Sequence, residues 1–155
     1  MSRAFVRETD GGEAFEDLPD RALSPHHLVT PSGLAQMDGE IAALEQRLEQ
    51  AKAADDKAEL ARLSRDLRYW SARRVSAEVI PHPRDTAHVR FGARVTFERE
   101  DGRRQTYRIV GEDEADPAKG TISYVSPLAQ ALMGKEVGDV IPVGSTKAEI
   151  VEITE

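Results

Sequence analysis

The fold is decided by residues 30–51, which read TPSGLAQMDGEIAALEQRLEQA. Thr30 followed by Pro31 is typical of a helix start, because a threonine side chain accepts from the first free N–H groups and proline suits the first helical position. Beyond them, apolar residues recur alternately three and four positions apart. They are Leu34, Met37, Ile41, Leu44, Leu48 and Ala51. Since this spacing aligns them in one narrow stripe, the segment predicts one helix of a coiled coil.

A matching stripe follows after a short polar break. Within residues 59–70, which read ELARLSRDLRYW, the apolar positions repeat the same alternation. They are Leu60, Leu63, Leu67 and Trp70. Adjacent aspartates favour a turn, which puts the break near residues 54–57. Two stripes joined by a short turn predict an antiparallel helical hairpin over residues 30–79.

From residue 84 onward the apolar pattern changes to a period of two, which is typical of strands. Five short runs show it: VRFGARVTF (89–97), QTYRIVG (105–111), TISYVS (121–126), DVIPV (139–143) and AEIVEI (148–153). Between the third and fourth runs, SPLAQALMGK predicts a short helix with Ser126 as its N-cap and Gly134 as its stop. The sequence therefore predicts an α+β protein, in which residues 80–155 form an antiparallel sheet covered by one short helix.

The composition limits the classes of function. The chain has 155 residues, a formal net charge of −7 and no cysteine, which excludes disulfides, thiol nucleophiles and thiolate metal sites. No apolar run approaches the roughly 20 residues of a membrane helix, and the acidic start lacks the apolar stretch of a signal peptide. We therefore expect a cytoplasmic protein with no membrane partner. Residues 1–29 carry six acidic residues against three arginines and no apolar period, so we expect an extended tail, laid against a neighbouring surface.

The order of motifs resembles that of the bacterial Gre transcript-cleavage factors. After the helical hairpin come FGARV, YRIVGEDEAD, ISYVSPLAQALMGKEVGD and EIVEI, a match that covers residues 89–153 almost continuously. The resemblance implies an FKBP-like C-terminal domain that docks at the mouth of the secondary channel of RNA polymerase, while the coiled coil enters the channel. In those factors two acidic residues at the hairpin tip hold a catalytic magnesium ion inside the polymerase. RNA polymerase is therefore the expected partner of a monomeric factor, with nucleic acid contacted only inside the complex.

The hairpin departs from the pattern of the cleavage factors. Each arm is roughly eight to ten residues shorter, which at about 1.5 Å of rise per residue removes about 12 to 15 Å of reach. A carboxylate must lie about 2 Å from a magnesium ion to bind it, so side-chain rotation cannot make up this deficit. We expect a factor that modulates elongation or initiation without cleavage, and that is not itself an enzyme and has no cofactor. The short hairpin is also similar to that of the nucleoside diphosphate kinase regulators, so action through another enzyme stays open.

The acidic residues of the tip, Asp55, Asp56 and Glu59, admit two interpretations. Asp56 and Glu59 repeat the family's spacing of a metal-reaching pair, which puts both carboxylates on one helical face. The alternative is an ordinary helix start, where acidic side chains favour the positive end of the helix dipole. A genuine cleavage factor acting through Asp56 and Glu59 is the second hypothesis for function.

Two further sets of residues are candidates for binding. On the second helix, Arg62, Arg65, Arg68 and Arg73 form a basic face for RNA or polymerase acids, or a solvated face paired with acids, as Arg62 with Asp66. The resemblance places Ser126 and Pro127 at the polymerase rim, with Glu114 and Asp116 bordering that surface. Both pairs also have ordinary roles, as helix cap and as solvated loop.

A third hypothesis, from another class, is an FKBP-like peptidyl-prolyl isomerase. It requires an aromatic-lined proline pocket, and the C-terminal part offers few aromatic residues for one. They are Phe91, Phe97, Tyr107 and Tyr124. The four histidines show no spacing typical of zinc ligands, so no metal site and no catalytic residue are expected.

Overall fold

The computed structural model describes residues 27–155, and most of the predicted tail therefore lies outside the described residues. The described part forms two compact units. One, the hairpin unit, contains Gln36–Ser76. The other, the sheet unit, contains residues 27–35 together with Ala77–Glu155.

The predicted hairpin is confirmed. Helix α1 spans Pro31–Ala53 and helix α2 spans Lys57–Ser76. The first helix begins where the sequence indicates, because the Thr30 carbonyl accepts from Leu34 N at 3.0 Å and the Thr30 hydroxyl accepts from Gly33 N at 3.0 Å. Thr30 is therefore the N-cap of α1.

The turn between the helices is a Schellman motif. Asp56 N donates to the Ala51 carbonyl and Asp55 N donates to the Lys52 carbonyl, both at 3.1 Å. This pattern requires a left-handed residue, and Asp55 takes that conformation with φ of 51°. The predicted turn is confirmed, although an aspartate stands where glycine is the usual residue.

The apolar cluster between α1 and α2 contains most of the predicted stripe, whereas Leu34, Met37 and Ile41 are not part of it. Leu44, Ala51 and Leu63 are buried at its centre. Leu48, Leu60, Leu67 and Trp70 pack against them. At the edges of this stripe, Arg74 Nε lies 2.7 Å from Asp38 Oδ1, and Arg47 Nη2 lies 3.2 Å from Glu59 Oε1. These two pairs connect the helices beside the stripe.

The sheet unit contains the five predicted strands in the order β5-β4-β3-β7-β6. Their bounds are Arg94–Arg99 for β3, Arg104–Val110 for β4, Thr121–Ser123 for β5, Val140–Val143 for β6 and Thr146–Thr154 for β7. The α+β class is confirmed, but the sheet is mixed because β5 runs parallel to β4. Parallel strands cannot be joined by a tight hairpin turn. Strands β4 and β5 are joined instead by a ten-residue connection that contains a short 3-10 turn at Pro117–Lys119.

A small parallel ladder also belongs to the sheet unit. Strand β1, Leu28–Val29, pairs with β2, Glu78–Val79. The sequence did not predict this pairing, since two residues are too few to show a period. Residues 27–29, assigned to the tail from the sequence, thus group with the sheet.

The core of the sheet unit lies between the curled sheet and helix α3, Pro127–Leu132. Its buried side chains are Val89, Phe91, Ala93, Val95, Phe97, Ile109, Ile122, Tyr124, Ala129, Leu132, Ile141, Ala148, Ile150 and Ile153. Phe91 meets Tyr124 edge to face, with ring centroids 5.5 Å apart. Within residues 27–155, no helix has both the length and the apolar character to cross a membrane.

Candidate functional site

The tip of the hairpin holds Asp56 in a structural position. Its Oδ1 atom accepts from Glu59 N at 3.2 Å, and its carbonyl accepts from Leu60 N at 2.9 Å. Asp56 is therefore the N-cap of α2. The three-residue spacing of Asp56 and Glu59 is the spacing that a cap and its N–H donor need.

Glu59 is held by arginines from both helices. Its Oε1 atom lies 3.2 Å from Arg47 of α1, and its Oε2 atom accepts from Arg62 of α2. Both carboxylate oxygens are thus engaged by cations. Among residues 27–155, no group of three or more histidine or acidic side chains is arranged to hold a metal ion.

The four arginines predicted as one face of α2 are in different environments. Arg62 is exposed and pairs with Glu59 rather than with Asp66, while Arg65 Nε lies 3.6 Å from Asp66 Oδ1. Arg68 is exposed. Arg73 differs from the prediction, because it is 1% exposed and cannot present its guanidinium on a solvated face.

A second candidate site surrounds the start of α3. Ser126 is the predicted N-cap, since its Oγ atom accepts from Ala129 N at 3.3 Å, and Pro127 occupies the first turn. Next to them lies a mostly apolar groove of about 560 Å³. Its lining includes Tyr107, Ile122, Leu128, Ala131 and Val143. Val125, one residue before the cap, has an apolar side chain that is 51% exposed.

Among the described residues that line this groove, Tyr107 alone is aromatic. The other three aromatic residues of the sheet unit lie in its core. The aromatic pocket that the isomerase hypothesis requires is therefore not formed at this groove.

The two acidic residues predicted beside this surface make contacts within the sheet unit. Glu114 Oε2 accepts from Thr30 N at 3.0 Å and from Gly111 N at 2.9 Å, and Oε1 accepts from the Thr30 hydroxyl. We call this arrangement the Glu114 clasp. Asp116 Oδ1 accepts from Ala118 N at 3.2 Å and caps the 3-10 turn.

The Glu114 clasp includes two glycines that sequence reasoning missed. A Cβ atom on Gly33 would lie 2.1 Å from Glu114 Cδ, and one on Gly111 would lie 2.6 Å from the Leu28 carbonyl oxygen. Glycine thus leaves room for the carboxylate at the start of α1. The sequence offered one signal for this contact, which is the unusual position of Gly33 in the first turn of a helix. No local pattern, however, connects Gly33 to Glu114, about 80 positions away.

The sheet unit also carries a match to known proteins. The family described as Transcription elongation factor, GreA/GreB, C-term matches residues 84–155. Over 149 aligned residues the chain is 36% identical to transcription elongation factor GreB of Pseudomonas aeruginosa, covering 81% of this chain and 89% of GreB. This chain belongs to the GreA/GreB family of transcription elongation factors.

Other members of the GreA/GreB family give similar matches. GreB of Pasteurella multocida is 40% identical over 111 residues, covering 71% of this chain and 70% of the relative. GreA of Ruegeria pomeroyi is 34% identical over 148 residues, covering 81% and 95%. Among solved structures, GreA factor homolog 1 (Gfh1) of Thermus thermophilus aligns with a TM-score of 0.40 at 19% identity, covering 84% of this chain and 99% of Gfh1.

Proposed function

We propose that this GreA/GreB family member binds RNA polymerase at the mouth of the secondary channel and modulates elongation or initiation without stimulating transcript cleavage. The sheet unit docks on the polymerase and the short hairpin enters the channel. The observation that carries the proposal is the state of the tip, where Asp56 caps α2 and Glu59 pairs with Arg47 and Arg62.

The chemistry of the tip supports a role other than metal binding. A magnesium ion takes carboxylate oxygens as ligands, and both oxygens of Glu59 already accept from guanidinium groups. Exposed ion pairs of this kind are weak, at about 0.2 to 1 kcal/mol, so they alone would not prevent metal binding. Two positive charges beside Glu59 nevertheless lower the affinity of the tip for a cation.

The lengths of the aligned sequences support the same conclusion. The alignment with GreB of Pseudomonas aeruginosa has 149 positions. It includes 81% of this 155-residue chain, which is about 126 residues. About 23 positions of the alignment are therefore occupied in GreB but not in this chain. The alignment with GreA of Ruegeria pomeroyi has a similar deficit. A loss of about ten residues from each helix would produce it and would shorten the reach by about 15 Å.

Docking is assigned to the surface around α3. Three features support this choice: the apolar groove, the Ser126 cap that lines it, and the exposed side chain of Val125, which is the adjacent residue in the chain. Apolar surface that is open to a partner is typical of interaction sites.

A matched pair of substitutions tests the docking surface. Val125→Glu places a charge next to Ser126, which lines the groove. Val137→Glu is the control, because Val137 is 56% exposed and Val125 is 51% exposed. The residues on either side of Val137 in the chain do not line the groove. We expect Val125→Glu to weaken binding to core RNA polymerase by about tenfold or more, since a buried charge at an interface costs over about 1.4 kcal/mol. Val137→Glu should bind like the unchanged chain.

Competition then distinguishes occupancy of the channel from action elsewhere. An excess of this protein should slow the cleavage that GreB stimulates in backtracked complexes, and Val125→Glu should lose this effect. Failure of the unchanged chain to bind the polymerase would reject the proposal and favour action through another enzyme.

A further inference from the structure

Two arginines lie directly opposite each other on the outer face of the sheet, where Arg94 of β3 pairs with Arg108 of β4. The strand neighbours Val95 and Ile109 are buried in the core, so both arginines point away from it. Ile109 N donates to the Ala93 carbonyl at 3.0 Å, which makes that neighbouring pair the hydrogen-bonded one. Arg94 and Arg108 therefore form a non-hydrogen-bonded pair, with Cα atoms about 4.5 Å apart and side chains close together. Like charges at such a position destabilise a sheet.

The charges of this arginine pair are not balanced by acidic side chains. Other arginines of the sheet unit lie in ion pairs with aspartate or glutamate; they are Arg90, Arg103 and Arg104. Within residues 27–155, Arg94 and Arg108 form no ion pair with an acidic side chain. Arg104 is the closest comparison, because it lies on the same face of β4 opposite Glu98, with Nε 2.9 Å from Oε2. The same ladder is thus neutralised at one end and positively charged at the other.

The guanidinium group of Arg108 is held in a fixed position. Its Nη1 atom donates to the Gly92 carbonyl at 2.6 Å, and its Nη2 atom donates to the main-chain oxygen of Glu155 at 3.1 Å. Nη1 also lies 3.3 Å from His82 Nδ1. Burial, and after it the charge of Arg94, lowers the pKa of Arg108 from its ordinary value. A carboxylate at Glu155 offsets one positive charge, and the second still has no partner.

We propose that Arg94 and Arg108 bind a terminal phosphate group, either of inorganic phosphate or of a nucleotide. A carboxylate has two oxygens, and a single guanidinium fork occupies both. A terminal phosphate has three oxygens and about two negative charges, so it accepts from both arginines and balances both. Thr154, which pairs with Arg94 from β7, shares this face and offers a hydroxyl donor. This inference does not depend on the binding of RNA polymerase.

A cavity that shares His82 with the arginine pair favours a nucleotide as the source of the phosphate. His82 contacts Arg108 and also lines a mostly apolar cavity of about 540 Å³. The lining includes Pro81, Phe91 and Met133. This volume lies in the range of about 300 to 1,000 Å³ that is typical of small-molecule sites. A nucleotide places its base in the cavity and its phosphate on the arginines, whereas inorganic phosphate uses the arginines alone.

A titration of the full chain, followed by NMR at constant ionic strength, measures this binding. The probes are inorganic phosphate and uridine 5′-monophosphate, and acetate is the carboxylate control. We expect both phosphates to shift the amide signals of Arg94, Arg108 and Thr154 with at least about tenfold higher affinity than acetate. Tighter binding of uridine monophosphate than of phosphate assigns the site to a nucleotide, and equal binding assigns it to inorganic phosphate. Equal affinity for acetate would overturn the inference.

A matched pair of substitutions then tests the two arginines themselves. Arg94→Gln removes one guanidinium from an exposed position and should weaken phosphate binding at least about tenfold, since a charge-assisted contact is lost. Arg104→Gln removes the same group where Glu98 balances it, and should change the affinity by less than about twofold. Unchanged amide signals in the core show that each variant is folded. The inference is wrong if Arg94→Gln binds phosphate normally, or if both variants lose affinity equally, because phosphate would then respond only to net charge.

Discussion

The hairpin and the sheet unit differ in how they are stabilised. Within residues 27–155, three apolar residues are buried in the cluster between α1 and α2, whereas fourteen are buried in the core of the sheet unit. The hairpin therefore combines a small apolar cluster with local devices, namely caps, a turn motif and ion pairs across the helices. The sheet depends on a shared core, in which each side chain is supported by many others.

The acidic residues of the two units show the same difference. Glu59 forms exposed ion pairs, which are weakened by solvent and salt. Glu114 is half-buried and accepts from two backbone N–H groups and one hydroxyl, an arrangement that is costly to break. An acidic side chain alone therefore does not indicate a functional site. What it contributes to the stability of the protein depends on how deeply it is buried and on which groups it contacts.

The largest effect is expected from the core of the hairpin. Leu63→Ala should lower the free energy of unfolding of the hairpin by about 3 kcal/mol, because it leaves a cavity among few neighbours. Thermal unfolding followed by circular dichroism in the far ultraviolet measures the loss of helix. The amide signals of Phe97 and Ile150 in the sheet should keep their positions. Loss of both sets of signals together would contradict the separate stabilisation of the two units.

The second effect concerns the Glu114 clasp. Glu114→Ala should lower the free energy of unfolding of the sheet unit by about 2 kcal/mol, since it leaves two N–H groups without their acceptor. Gly33→Ala should have a similar effect, because the new Cβ displaces the carboxylate. The double variant should cost little more than either single change.

Gly39 provides the control for the clasp. It lies in the same helix, and an added Cβ there meets nothing within 4 Å. Gly39→Ala should therefore stabilise the protein by about 0.5 to 1 kcal/mol through helix propensity alone. Equal destabilisation by both alanine substitutions, measured by chemical denaturation, would show that the clasp is not the cause.

The third effect is a stabilisation at the tip. Asp55 adopts a left-handed conformation that suits glycine, so Asp55→Gly should raise the free energy of unfolding of the hairpin by about 1 kcal/mol. Ala58→Gly, in the first turn of α2, should lower it instead. A loss of stability in Asp55→Gly, measured by thermal unfolding, would contradict the Schellman turn.

The smallest effect is expected from the ion pair between the helices. Arg47→Ala should change the free energy of unfolding by no more than about 0.5 kcal/mol, because both side chains are accessible to solvent. The difference should disappear in about 1 M salt, where the screening length is about 3 Å. A larger or salt-independent loss would mean that Glu59 is held more firmly than its exposure indicates.

Local patterns predicted most of the secondary structure. The alternation of apolar residues located the stripe between α1 and α2, the adjacent aspartates located the turn, and Ser126 with Pro127 located α3. Each of these features depends on residues a few positions apart, so a single sequence contains the whole signal.

Features that join distant residues were not predictable in this way. The β1–β2 ladder is too short to show a period, and the parallel pairing of β5 depends on the path of its connection. The Glu114 clasp joins residues 84 positions apart. The burial of Arg73 likewise depends on what packs around α2 rather than on its place in the helix.

The proposed function is tested most directly by the length of the RNA in backtracked elongation complexes after this protein is added at a concentration that saturates binding. A Gre factor that shortens the RNA in the same assay serves as the positive control, and the double variant with Asp56→Ala and Glu59→Ala is the matched variant. We expect no shortening of the RNA beyond the rate of the polymerase alone, with the unchanged chain and the double variant giving the same result. RNA that shortens with the unchanged chain but not with the double variant would contradict the proposal and assign cleavage to Asp56 and Glu59.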